Sequence, residues 1–379
     1  MRAVSDELAA VLDGGQYELD LRLDVFYGAE RTLAGLTVYP SWELKWVKSA
    51  DVPGSGSVLV QVQMPDGSSL TPREFTSRLA PFGQEVAPLL TVRAGAFAET
   101  VMAGRYRIVD VPSARDENMV HAARVITVGS YVELRLADQL EAVREWGFAA
   151  PEQPVHTSDA WQEMARLTGM RIVRSAPTVS VPASIVYDMS DGGRLKAVQA
   201  LADALGGTLY VTADGALTVL ADGEGESVRT FPYRGSTVLD FEIGMSSEGV
   251  YNEVVGNFEA EDRSPIVAPP ARVTDGPLRV DGPFGRRTRY YASPFVKTRE
   301  QADSALAKIL ARSSTAKAYR TSFPAILDPR VEVGDTVTVE QDTHTYAAVV
   351  VEVAWKADST MTLTVDIVRT LDQANLLGV

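Results

Sequence analysis

Hydrophobic and polar positions alternate along residues 17–27, YELDLRLDVFY. Tyr17, Leu19, Leu21, Leu23, Val25 and Tyr27 fall on one face, and Glu18, Asp20, Arg22 and Asp24 on the other. A period of two is that of a strand with one wet face. Weaker runs follow at 58–64, 89–93, 105–111 and 125–136, separated by turn-forming stretches such as Pro53-Gly54-Ser55-Gly56 and Pro65-Asp66-Gly67. Together they predict an N-terminal antiparallel β domain over 14–145, a barrel or a sandwich.

The period changes after 157. Trp161, Met164, Ala165 and Thr168 fall at i, i+3, i+4 and i+7 between a Thr157-Ser158 cap and Gly169, which predicts a short amphipathic helix. A strand, MRIVRS, is expected next. Leu195, Val198, Ala202 and Leu205 form a second helical stripe ended by Gly206-Gly207, and TLYVTADGALTVL places Asp214-Gly215 where a type I′ hairpin turn belongs. Residues 150–222 therefore read as a small α+β domain.

Strand patterns return at 228–233, 237–243 and YNEVVGNFE (251–259), and again at 318–323, 331–339, 345–355 and 360–369. These define a C-terminal β-barrel region, 228–370, with a loop and helix segment (264–312) set into it. Within that segment, 264–287 is rich in proline and glycine and predicts a long loop or arm. Thr298 and Gln301 have capping-box spacing before the stripe Ala302, Ala305, Leu306, Ile309 and Leu310. The fold class is thus mainly β with α+β insertions.

Composition narrows the function. The 379 residues are 45% hydrophobic and 23% charged, ordinary for a chain with buried cores. Lys and Arg number 36 against 50 Asp and Glu, a net charge of -14, so sequence-independent phosphate binding is not expected as the main task. With no cysteine, disulfides, thiolate zinc sites and thiol nucleophiles are excluded. No apolar run approaches membrane-spanning length, and the opening MRAVSDELAAVLDGG lacks a signal-peptide profile, so the chain is expected in the cytosol or in a particle assembled there.

Little in the sequence suggests a reaction. His121, His156 and His344 lie in separate segments, without metal-ligand spacing. Nucleophile elbows, P-loops and complete dinucleotide fingerprints are absent; Gly54-x-Gly56 and Gly223-x-Gly225 are fragments of the last. Asp222, Glu224 and Glu226 could converge on a hard cation but lack a full calcium loop and read more simply as a solvated hairpin turn. Glu259, Glu261 and Asp262 offer carboxylates for glycoside cleavage, a chemistry that needs two at a set separation. Arg286, Arg287, Arg289, Tyr290 and Tyr291 interleave cations with aromatics. They could grip nucleic acid or sugar, but more simply form a subunit contact.

The order of segments resembles the tail hubs of long-tailed phages. LAPFGQEVAPLLTVRAG with ETVMAGRYRIVDV (79–111) is similar to the N-terminal region of minor tail proteins of actinobacteriophages. RLKAVQALADALGGTLYVTADGALTV (194–219) and the tandem of YNEVVGNFE with VEVGDTVTVEQDTHTYAAVVVEVAWKADSTMTLTV (331–365) continue the likeness along nearly the whole chain. None of these is a catalytic signature.

The resemblance implies a homotrimeric, non-enzymatic structural protein of the virion, without cofactor or metal. It would sit at the tail tip, similar to the baseplate hub of contractile phages and the N-terminal hub region of tail-associated proteins. Two tube-type β-barrels per chain would give six in the trimer, matching a six-fold tail tube. Partners implied are a second and third copy, the tail tube or distal tail protein, the tape measure protein and tip or receptor-binding proteins, with DNA only in transit past an acidic wall and no stable membrane insertion. The chain ends at Val379 where many relatives continue into a lytic region, so cell-wall cleavage is expected to belong to another protein. Two rival readings stand beside this one: a tail-tip protein that binds or cleaves carbohydrate, and a cytosolic β-rich binding protein unrelated to phage.

Overall fold

The computed structural model describes residues 2–121, 124–232, 247, 249–315, 320–340 and 344–371. Strands far outnumber helices among the described residues, so the fold is mainly β. The N-terminal region runs α1 (Asp6–Gly14), β1 (Glu18–Tyr27), β2 (Glu30–Thr37), β3 (Glu43–Val47), β4 (Gly54–Val62), β5 (Gln84–Ala94), β6 (Phe97–Met102), β7 (Tyr106–His121) and β8 (Arg124–Asp138). Then come α2 (Leu140–Glu145), α3 (Ala160–Thr168), α4 (Gly193–Leu205), β9 (Gly207–Val211), β10 (Leu217–Ala221) and β11 (Ser227–Phe231). A third group is β12 (Glu253–Glu259), β13 (Pro265–Ile266), β14 (Ala271–Arg272), β15 (Thr288–Ala292) and α5 (Arg299–Thr315). The chain continues through β16 (Arg320–Ile326), β17 (Thr336–Glu340), β18 (Thr345–Lys356) and β19 (Thr360–Leu371). The strand expected at 237–243 lies outside the described residues.

The two β regions are not separate bodies. One 13-stranded sheet runs β11-β17-β18-β3-β4-β8-β7-β5-β1-β2, with β6 on β5, β19 on β18 and β16 on β19. The link is β18. Its first half, Thr345–Val349, pairs with β17 and its second half, Glu352–Lys356, with β3, while β19 runs along Thr345–Trp355. A strand has two edges, so β17 and β3 share one of them end to end. No described sheet closes as a ladder all the way round, so the strand pairing by itself gives a mainly β fold and not two closed barrels. At the far end of the path, β2 meets β4 only through the single bridge Val38–Val60, with the Tyr39 amide donating to the Leu59 carbonyl at 2.7 Å.

Alternation puts Leu21, Leu23 and Val25 of β1 into a core that also holds Val58, Val60, Val132 and Leu134 from the N-terminal strands and Phe323, Val337, Val350 and Leu363 from the C-terminal ones. Full burial of each such side chain stabilises the fold by about 1.5–3 kcal/mol. Asp24 departs from the expected wet face. It is buried, accepting from the Gly35 amide at 2.8 Å across the β1–β2 hairpin.

The α+β region has its own core of Trp161, Met164, Leu167, Val198, Leu201, Leu209 and Leu217. The cap of α3 is Asp159, which accepts from the Trp161 and Gln162 amides, rather than Thr157-Ser158. Residues 170–175 do not form a strand; they touch β10 through the Ile172–Leu217 bridge. Asp214-Gly215 does turn the β9–β10 hairpin, but Thr212 pairs with Ala216, leaving a three-residue loop with Gly215 at φ +77° instead of a two-residue turn.

Residues 264–287 are a loop for most of their length, as expected, but not a free arm. β13 and β14 pair antiparallel with β12 on one side and β15 pairs parallel on the other. Residues 264–292 thereby fold back on β12 under α5, whose Ala302, Leu306 and Ile309 pack against Val254 and Phe258. The capping box of α5 is present: Gln301 donates its amide to Thr298 Oγ1 at 3.3 Å, and the Thr298 amide donates to Gln301 Oε1 at 3.1 Å.

Candidate functional site: assembly surfaces and a polar junction

The basic run enters β15 from a turn that Asn252 organises. Fully buried, Asn252 donates from Nδ2 to the Leu278 and Gly285 carbonyls at 2.9 and 2.8 Å and accepts the Arg287 amide on Oδ1 at 2.8 Å. Next to it the Glu253 carboxylate takes Arg272 at 2.6 Å and the Thr288 hydroxyl at 2.8 Å, bonds that hold it below the usual range for a glutamate. Three of the five residues singled out from sequence are engaged within their own chain. Arg287 lies over the Phe284 ring, Arg289 donates to Ser313 Oγ at 3.0 Å, and Tyr291 packs edge-on to Phe258. Arg286 reaches Glu253 only at 3.8 Å and stays exposed, and Tyr290 is 81% exposed. These two, on the turn and strand that precede α5, are free to meet another surface.

The carboxylate candidates do not converge. Asp222 pairs with Arg312 at 3.0 Å and Lys48 at 3.4 Å, Glu224 pairs with Arg369 at 2.9 Å, and Glu226 is exposed. This stretch crosses from β10 to β11, which lie in different sheets, so it is a crossover and not a hairpin turn. Asp262 is consumed by a local turn, accepting from the Ser264 amide and hydroxyl, which lower its pKa. Glu259 is an exposed residue at the end of β12. No cluster of three or more metal-ligating side chains exists among the described residues. His156 contributes its backbone amide to Glu163, His344 stacks on Tyr346, and the side chain of His121, at the end of β7, lies outside what is described.

A cavity of about 1040 Å³ separates the α+β region from the β15–α5 unit. It gathers Glu261, Arg289 and Tyr291 with Glu300, Asp203 and Arg312, a mixed-charge lining. Burial pushes the Asp203 carboxyl up, against the pull of Arg312. Sequence reasoning named neither Asp203 nor Arg312, since nothing local relates the end of α4 to the end of α5.

Where the three regions meet, polar groups enter the core. Arg2, barely exposed, lies over the Trp355 ring at 5.1 Å and the Trp46 ring at 5.9 Å, and reaches Glu332 at 3.4 Å. Tyr210 of β9 donates to the same Glu332 at 2.9 Å. Nearby, Asp138 accepts the Gly54 amide at 2.6 Å and the Leu140 amide at 2.9 Å. Burial outweighs both bonds and pushes its pKa up to about 6. A second network ties α1 to the C-terminal strands: Arg330 bonds Asp328 at 2.8 Å and Asp13 at 2.7 Å, and Arg229 joins both acids. These groups fasten segments far apart in sequence. None forms a nucleophile with a base beside it.

Exposed apolar groups mark further surfaces. Phe75 and Phe82, 74% and 53% exposed, meet edge to face at 4.7 Å. Val120 and Val125, 73% and 68% exposed, face each other at the tip of the β7–β8 hairpin. No helix among the described residues is long and apolar enough to cross a membrane.

No family model and no curated protein matches the sequence. The structure is similar to that of the tail protein from Neisseria meningitidis MC58, with a TM-score of 0.59 at 12% identity, over 92% of this chain and 96% of that one. It is also similar to the prophage MuSo2 43 kDa tail protein from Shewanella oneidensis, with a TM-score of 0.57 at 11% identity, over 93% of this chain and 98% of that one. Over almost its whole length the chain shares the fold of these two tail proteins.

Proposed function

We propose that the chain is a structural, non-enzymatic protein of a phage tail: a homotrimeric hub at the distal end, joining tail tube to tip and forming part of the DNA-ejection channel. The observation that carries this reading is the likeness to two tail proteins across more than nine-tenths of the chain, which takes in the continuous sheet and both inserted units. In this reading each β region is one tube-type barrel, six to the trimer. The Val38–Val60 bridge, which brings β2 back onto β4, supports closure of the N-terminal one. Partners are two further copies, the tail tube or distal tail protein, the tape measure protein and tip or receptor-binding proteins. Arg286 and Tyr290, with the neighbouring Arg287, Arg289 and Tyr291, form one of the contact surfaces. A net charge of -14 per chain lets DNA pass without adhering. The virion tail tip is its place, after assembly in the host cytoplasm.

The test is the mass and shape of the purified chain. Light scattering at three times the chain mass, with a central pore in particle images, supports the hub; a monomer at high concentration, or a ring of another order, overturns it. A second reading, carbohydrate binding or cleavage at the tail tip, draws on the cavity that sets Glu261 and Glu300 beside Tyr291 and Phe295. Calorimetric titration with cell-wall saccharides and a glycosidase assay decide it, a flat titration with no product removing it.

A further inference from the structure

The β7–β8 hairpin outruns its support. Neighbouring strands cover only its base: β5 pairs with β7 at Tyr106 and Arg107, and β4 pairs with β8 between Ser130 and Ala137. Beyond these points each strand of the hairpin has only the other as a ladder partner, out to His121 and Arg124. At the far end Val120 stands opposite Val125, and Met119, 49% exposed, stands opposite Ile126 on the other face. A single exposed hydrophobe is unremarkable, but an open Val120–Val125 pair on one face and an open Met119 beside half-buried Ile126 on the other, in so acidic a chain, form a patch that calls for cover.

A groove of about 730 Å³ lies at the base of the same hairpin, with Phe75, Phe82, Pro72, Pro81 and Val111 among its walls. It is held ready. Gln84, 3% exposed, accepts the Phe82 amide and donates to the Phe75 and Ser77 carbonyls, which fixes the two aromatic residues relative to each other. Asp116 accepts from Ser69, Thr71 and Arg73 and so clamps the approach to the groove against the hairpin.

The tip cannot fill its own groove. Ala114, in the groove wall, and Val120 are six residues apart along an extended strand, about 20 Å at roughly 3.4 Å per residue, and a paired two-stranded arm does not fold back on itself. Each chain therefore carries one apolar finger and one aromatic groove that do not meet within it. That is the arrangement of a head-to-tail contact, which closes into a ring when the rotation between copies permits.

We propose that the hairpin tip, Met119, Val120 and Val125, docks into the Phe75–Phe82 groove of a second copy of this chain, and that this contact links the copies of the ring. The inference rests on the ring reading given under the proposed function and adds the surface that builds it.

Because the chain contains no cysteine, introduced thiols report this contact alone. Val120→Cys and Phe82→Cys variants are prepared singly, mixed, allowed to assemble and oxidised. A cross-linked pair that forms only in the mixture is the expected result, together with a loss of assembly of at least tenfold for Val120→Asp/Val125→Asp whose circular dichroism is unchanged. Rings that form without the mixed cross-link, or cross-links within Val120→Cys alone, overturn the docking while leaving the ring reading intact. Particles of the double Asp variant that stay intact overturn it as well. A wild-type chain that remains monomeric overturns the ring reading and this contact with it. Recovery of the chain on lipid vesicles, lost in the double Asp variant while rings persist, assigns the tip to a membrane surface and also overturns it.

Discussion

Trp46 of β3 meets Trp355 of β18 edge-on, ring centroids 4.8 Å apart, and Arg2 lies over both rings. The pair sits where the N-terminal strands join the C-terminal ones. Trp355 is fully buried, so Trp355→Ala costs about 3–5 kcal/mol. A double-mutant cycle with Trp46→Ala in urea should return about 0.5–1.5 kcal/mol of coupling from the ring contact. A coupling of zero would show that the seam is held elsewhere.

Asp138 gives the chain a specific pH dependence. Its folded pKa, about 6, lies above the ordinary aspartate value of 3.8, so between these values the folded chain keeps a proton that the unfolded chain releases. The sign follows: stability contributed by this group is full below pH about 4 and falls as pH rises through 6, by about 3 kcal/mol in all at roughly 1.4 kcal/mol per unit. Asp138→Asn cannot ionise. Its stability measured from pH 4 to 7, subtracted from that of the wild type, should show this fall, and parallel curves would refute it.

Arg330 and Asp328 are both nearly excluded from solvent. Removing Arg330 leaves the buried Asp328 with only Arg229, at 3.4 Å, so Arg330→Ala should cost about 3 kcal/mol, the lower end for a broken buried pair, whereas Arg330→Met with Asp328→Leu should recover much of that loss. Thermal unfolding of the three proteins checks it; a double variant no better than the single one would contradict the charge-burial account.

Asn252 closes the turn before β15 with three hydrogen bonds. Asn252→Ala leaves two carbonyls and an amide to find new partners, at about 2–4 kcal/mol. Trypsin should then cut at Arg279, Arg286 or Arg287 faster than in the wild type, and unchanged cutting rates would mean that the strand pairing of β15 holds the segment without Asn252.

Local chemistry was enough to place many elements. Alternation located β1, β4, β5, β18 and β19, helical stripes located α3, α4 and α5, and the Thr298–Gln301 box marked the start of α5 because each signal lies within one or two turns of chain. The same reasoning missed β2, β3, β6 and α1, whose patterns are short or interrupted, and misread residues 170–175, where β-branched residues make a single bridge. It also gave 264–287 no strand, because Pro and Gly exclude a long element but not two-residue strands paired with β12 or a turn pinned by the buried Asn252, some thirty residues earlier.

The candidate residues show the same division. The sequence supplied an acidic, cysteine-free chain with Arg and Tyr interleaved at 286–291; only the fold decided that Arg287, Arg289 and Tyr291 hold their own chain while Arg286 and Tyr290 look outward. Residue spacing cannot reveal that β18 gives half of one edge to β17 and half to β3, because an extended edge offers the same amides and carbonyls to any partner. That choice, like the meeting of Arg2, Trp46, Tyr210, Glu332 and Trp355, was made by side chains brought together from opposite ends of the chain, where burial of a shared core outweighs every local preference.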